Sequence, residues 1–129
     1  MATPCNAGYV ELAKLGAGAA ADAWTHIALG TGTGQGAAST TLATETAASG
    51  LARAAATVTT ETTTVTDDTI QLTKVFTSAA TATITEAGAF NHATINTGDM
   101  LMVGDFGTAA SMISGDTLTV TLQCQIKSA

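Results

Sequence analysis

Charge is scarce in this sequence, and positive charge is scarcest. Of 129 residues only 11% are charged, and Lys14, Arg53, Lys74 and Lys127 are the sole lysines and arginines. An average soluble domain carries about 25% charged residues. Nucleic-acid binding draws on a basic stripe that displaces counterions from phosphate. Four scattered cations within a net charge of −6 build no such stripe, so a nucleic-acid partner is excluded. No run of about 18 apolar residues is present, so no membrane-crossing helix is expected. The first residues lack the basic-then-apolar pattern of a secretory signal, so export is expected only within an assembled particle or by lysis.

Cysteine is nearly absent too. Cys5 and Cys124 stand near opposite ends, and two thiols make no disulfide framework. Two readings stay open: a bridge that staples neighbouring termini, or two free thiols with Cys124 packed as a small core residue. Aromatic residues are 4%, with one Trp and one Tyr, which leaves few platforms for stacking on sugars. The histidines, His26 and His92, form no H-x-H or H-E-x-x-H pair, and no C-x-x-C occurs. The sequence therefore offers no metal set and no Cys–His nucleophile. No catalytic, cofactor or metal residues are assigned, and an enzyme is not expected.

What the chain has in abundance is alanine and threonine, together about two in five residues. Threonine is β-branched and favours strands. A chain of this length fits one domain and buries roughly two thirds of its unfolded surface.

Residues 1–6 read as a mobile arm. Gly8 to Leu15 suits one or two helical turns, ended by Gly16 and Gly18. Trp24 to Leu29 reads as a strand, with Trp24, His26 and Ala28 on one side and Thr25, Ile27 and Leu29 on the other. Residues 30–39 (GTGTGQGAAS) are too rich in glycine for a strand. Residues 40–50 suit an irregular excursion or short helix. Residues 54–66 and 69–76 are β-prone, and Asp67-Asp68 between them marks a hairpin turn. Residues 81–90 alternate, with Ile84, Glu86, Gly88 and Phe90 predicted on one face. Asn91 to Asp99 is a connection, and Met100 to Val103 a short apolar strand. After a turn at Ser114-Gly115-Asp116, residues 117–127 alternate without a fault. Leu118, Val120, Leu122, Cys124 and Ile126 point one way, and Thr or Gln the other through Gln125. One apolar sheet face requires a second layer. The predicted fold is all-β, an antiparallel sandwich of jelly-roll or immunoglobulin-like type with a short N-terminal helical segment. One domain spans 1–129, with the arm and helix in 1–23 and the sandwich in 24–127.

Two features invite chemistry. Gly32-Thr33-Gly34-Gln35-Gly36-Ala37 formally matches a dinucleotide-binding G-x-G-x-x-A turn after a strand. The stretch that follows is a weak helix and no ribose-binding acid ends a later strand, so a surface loop able to fit a neighbouring subunit is the preferred reading. Gly30, Gly32, Gly34 and Gly36 are its candidate subunit-contact positions. Glu86 lies among apolar neighbours. A half-buried carboxylate can serve as a catalytic acid, but it can equally lie at a sheet edge or bond a loop's backbone and fix that loop.

Three segments carry a family resemblance: IALGTGT at 27–33, followed by Thr44-Glu45; TITEAGAFN at 83–91; and SGDTLTVTLQCQI at 114–126. In this order and spacing they resemble a group of small bacteriophage virion proteins with an I-A-x-G-T-G-T opening, an I-T-E-[IV]-G-[LI]-F middle and a D-x-L-x-V-x-W end. The resemblance covers about residues 24–127. Ile84, Glu86, Gly88 and Phe90 fall on the middle motif. Ala87 and Ala89 replace bulkier apolar residues there, and Leu122 and Cys124 stand where an aromatic is common, which implies a second layer that packs more closely or is thinner. The resemblance implies a virion structural protein, assembled in the cytoplasm of a bacterial host. A single domain without a fibre's repetitive shaft resembles a capsid decoration, or cement, protein that clamps neighbouring shell subunits. Partners would be the major capsid protein or other virion proteins, with homo-oligomers (dimer or trimer) expected. The alternatives are a tail, collar or tail-fibre-associated component, and a host-surface carbohydrate-binding module.

Overall fold

The computed structural model describes residues 2–127. In chain order the elements are β1 (Thr3–Pro4), α1 (Asn6–Ala17), β2 (His26–Gly30), β3 (Ala54–Ala55), β4 (Thr57–Glu61), β5 (Thr69–Thr77), β6 (Ala82–Phe90), β7 (Met100–Met112) and β8 (Thr117–Gln125). Two antiparallel sheets pack face to face, one in the order β1-β7-β6-β2-β3 and the other β4-β5-β8. The chain is thus an all-β sandwich with a short N-terminal helix.

The three-stranded sheet follows directly from alternation. Val120, Leu122 and Cys124 of β8 are buried, and Thr117, Thr119 and Thr121 are exposed. Ile126, the last of the apolar row, is exposed beyond the strand's end. β8 pairs with β5 like with like: Gln71 opposite Gln123, Leu72 opposite Leu122, Thr73 opposite Thr121. Leu72, Phe76, Val120 and Leu122 meet Ile27, Leu29, Ile84, Ala87, Ala89 and Met102 of the five-stranded sheet in the main core. The chain crosses between sheets three times, at Ala56, at 78–81 and at 113–116. Ser78 N–H donates to Asp116 O, and Gly115 N–H donates to Ser78 O, so the last two crossings lie side by side.

The helix ends at Gly18, whose left-handed φ of 71° suits glycine; its N–H donates to Leu15 O and that of Ala19 to Lys14 O. Gly16 stays inside the helix rather than ending it.

Several expectations are corrected. The N-terminal arm is not loose: Thr3 pairs with Val103, Pro4 with Met102, and Cys5 N–H donates to Leu101 O. Trp24 precedes its strand and joins Ile27 and Leu29 in the main core rather than Ala28. The strand expected over 54–66 ends at Glu61, because Asp68 draws the N–H groups of Thr63, Thr64 and Val65 into a loop. β7 runs thirteen residues, not four. Ile84 does not share a face with Glu86, Gly88 and Phe90. The β6–β7 register shifts at Thr85, which turns Ile84 into the core between the sheets. Phe90 lies on the opposite face with Ala28, Leu42, Met100 and Val103.

Candidate functional site

Glu86 sits on β6 between β2 and β7, not at a sheet edge. It is fully buried under the loop of residues 31–45. Its Oε1 accepts hydrogen bonds from the N–H groups of Gly32 (3.2 Å) and Thr44 (3.0 Å). Its Oε2 accepts from Ala43 N–H (3.2 Å) and Gln35 Nε2 (2.6 Å). Four donors replace the water that a buried carboxylate loses. The expectation that Glu86 fixes a loop through its backbone is met.

Of the glycines, Gly30 and Gly32 are required by this close approach. A Cβ on Gly30 would collide with the Glu86 carboxylate and Thr44 O, and one on Gly32 with the Ala43 methyl. Farther along, the N–H groups of Gly34 and Gln35 both donate to Asp105 Oδ2, at 3.0 and 3.1 Å. Gly36 has open space where its Cβ would be. The loop is therefore clamped at two carboxylates and presents a fixed surface, with Thr31, Thr33 and Gly34 exposed. No helix follows the Gly32–Ala37 stretch, so the dinucleotide arrangement is not built.

A second polar cluster ties the 40–50 excursion to the 91–99 connection. Arg53 Nε donates to Glu45 Oε1 at 2.9 Å, and Arg53 Nη1 donates to the carbonyls of His92 (2.9 Å) and Thr97 (2.8 Å). The guanidinium lies 3.8 Å from the Phe90 ring centroid. Glu45 Oε2 accepts from Asn96 N–H at 3.0 Å. Burial, with the charges of Arg53 and His92, lowers the pKa of His26. No motif announced Arg53; its one signal was a lone cation inside the alanine-rich stretch 52–56.

Cys5 and Cys124 are free and buried. Burial, aided by Cys124, pushes the Cys5 thiol up to about 11, and burial raises Cys124 as well. Both are protonated and unreactive near neutrality. Among the described residues no three His, Cys, Asp or Glu side chains gather where a metal could be held. Nor, among the described residues, is any helix long and apolar enough to cross a membrane.

The outer surface offers binding features of another kind. β8 is an edge strand, with β5 on one side only. Along it run two recesses. One, of about 440 Å³, lies between Thr121–Gln123 and Gly104–Phe106. The other, of about 630 Å³, lies between Cys124–Lys127 and the face of α1 that carries Tyr9, Leu12 and Ala13. No protein family, curated protein or solved structure matches the chain.

Proposed function

We propose that this chain is a non-catalytic structural protein of a bacteriophage virion, a capsid decoration protein that binds the outside of the major shell and clamps neighbouring subunits. The observation that supports this reading is the spatial union of two segments that carry the family resemblance. IALGTGT and TITEAGAFN lie far apart in sequence, yet they form the paired strands β2 and β6. The Glu86 of the second segment holds the Gly32 of the first. The residues of the resemblance thus do one job together: they fasten a glycine-rich loop as a rigid outer surface. Open sheet edges suit β-augmentation by shell segments, and many copies on a shell convert weak contacts into tight attachment.

The test is to image the intact particle and count this chain. Hundreds of copies on the outer shell are expected, with capsids that become fragile when the protein is stripped. Three, six or twelve copies at one vertex would overturn decoration in favour of a tail or collar component. Specific binding to a glycan array by the isolated protein would move the reading to host-surface recognition.

A further inference from the structure

We infer that two copies of this chain pair edge to edge through antiparallel β8 strands about a two-fold axis at Thr121, which makes one continuous six-stranded sheet. Edge strands normally carry charge, proline, a bulge or short length that blocks pairing with another chain. β8 has none of these. It is nine residues long (TLTVTLQCQ), uncharged, and in unbroken register with β5. The other edge of its sheet, β4, has five residues and ends in Glu61.

Three further features select a second copy as the occupant. First, the strand is compatible with itself. About Thr121, Thr119 of one copy faces Gln123 of the other, Thr117 faces Gln125, and Val120 faces Leu122. These are Thr–Gln pairs around one Thr–Thr pair on the axis, uncharged polar side chains of the same kinds that already pair between β5 and β8, where Gln123 Nε2 donates to Gln71 Oε1 at 2.6 Å. A net charge of −6 opposes self-association, but none of it lies on this strand.

Second, exposed apolar residues stand at both ends of β8. Ile113 is 62% exposed at the start, and Ile126 and Tyr9 are 57% and 56% exposed at the end. The two-fold axis sets Asp116 of one copy opposite Ile126 of the other. The Ile113–Asp116 turn of each copy then enters the recess beside Tyr9 and Ile126 of its mate. Such reciprocal contact, made twice, is what a two-fold interface requires. Third, the same register sets Lys127 of one copy opposite Gly115 of the other, one residue from Asp116. Neither makes an ion pair within the described residues of its own chain, and across the axis they form two opposite-charge pairs.

Sedimentation equilibrium of the purified protein tests this without reference to any virion. A dimer is expected. Thr121→Lys, an exposed position, sets two lysines against each other on the axis and is expected to weaken the dimer at least about tenfold, roughly 1.4 kcal/mol, with the thermal melt of the monomer retained. Lys127→Asp is expected to weaken it, and Asp116→Lys combined with Lys127→Asp to restore it. Thr121→Cys is expected to cross-link into a disulfide dimer on oxidation with diamide, whereas Thr59→Cys on β4 is not. A protein that stays monomeric at high concentration, or an oligomer indifferent to Thr121→Lys and not linked through Thr121→Cys, overturns the proposal. Should a variant unfold, the cross-link in the otherwise native chain decides.

Discussion

Arg53 and Glu45 form an ion pair from which water is almost wholly excluded: Nη2 stands 2.7 Å from Oε1, and the side chains are 1% and 2% exposed. Removing one member strands the other's charge in a medium that cannot solvate it. Glu45→Gln and Arg53→Met are each expected to cost about 3–5 kcal/mol. The double variant is expected to cost less than the sum of the two, because it leaves no lone charge. Urea unfolding of the four proteins of the cycle measures this.

Glu86→Gln presents an amide donor to groups that are themselves donors. Loss of charge-assisted bonds is expected to destabilise the chain by about 2–3 kcal/mol. The loss should be local in amide exchange, with Gly32, Ala43 and Thr44 exchanging faster. Unchanged protection at those three amides would show that Glu86 does not hold the loop.

Gly32→Ala and Gly36→Ala make a matched pair in one loop. The first drives a methyl into the Ala43 side chain, and the second meets open space. Gly32→Ala is expected to cost about 1–3 kcal/mol, and Gly36→Ala to stay within about 0.5 kcal/mol of the parent. Thermal melts compare them.

Asp68 links the 62–68 loop to pH. N–H groups of that loop, that of Val65 foremost, and the Gln125 side chain hold its carboxyl well below the usual carboxylate range. Its folded pKa is depressed, so the unfolded chain binds more protons near its reference value of 3.8. The stabilisation is therefore complete above that value and is lost as pH falls through it toward the folded pKa. Stability curves from pH 7 to pH 3 are expected to fall less steeply for Asp68→Asn than for the parent.

The two thiols give a probe of opening. Protonated and buried, Cys5 and Cys124 are expected to resist thiol reagents at pH 7 in the native protein and to react together on unfolding. Fast labelling of Cys5 alone would show that the N-terminal strand opens without the rest.

What the sequence disclosed was local. Perfect alternation in 117–125 located β8 and its buried face, because a period of two has one structural solution when one side is apolar. Gly18 marked a helix end, and Glu86 was readable as a loop anchor because a carboxylate among apolar neighbours must find donors. What stayed hidden was set by distant partners. Pro4 and Thr3 look like a loose arm until Met102 and Val103 supply a ladder. Gly104, Asp105 and Gly107 interrupt the pattern of β7, yet β6 carries the strand past them. The turn of Ile84 into the core comes from a mismatch between Thr85 and residues 106–109, which no period in either strand announces. Arg53 has no motif, and nothing in the sequence pairs it with Glu45, because their union depends on two irregular segments meeting.

The side-by-side crossings at Ser78 and Asp116 also set an order of events during synthesis. Thr73 must wait 48 residues for Thr121. Until then β5 has only the short β4 beside it, and the row Leu72, Phe76 lacks its far neighbours. A nascent chain on the ribosome can close the β6–β7 hairpin early, since that pairing is nearly local, but not the sheet that faces it. The molecule is thus slow by topology, and a chain stopped short of β8 would leave an unfinished, adhesive strand where the complete one has a partner.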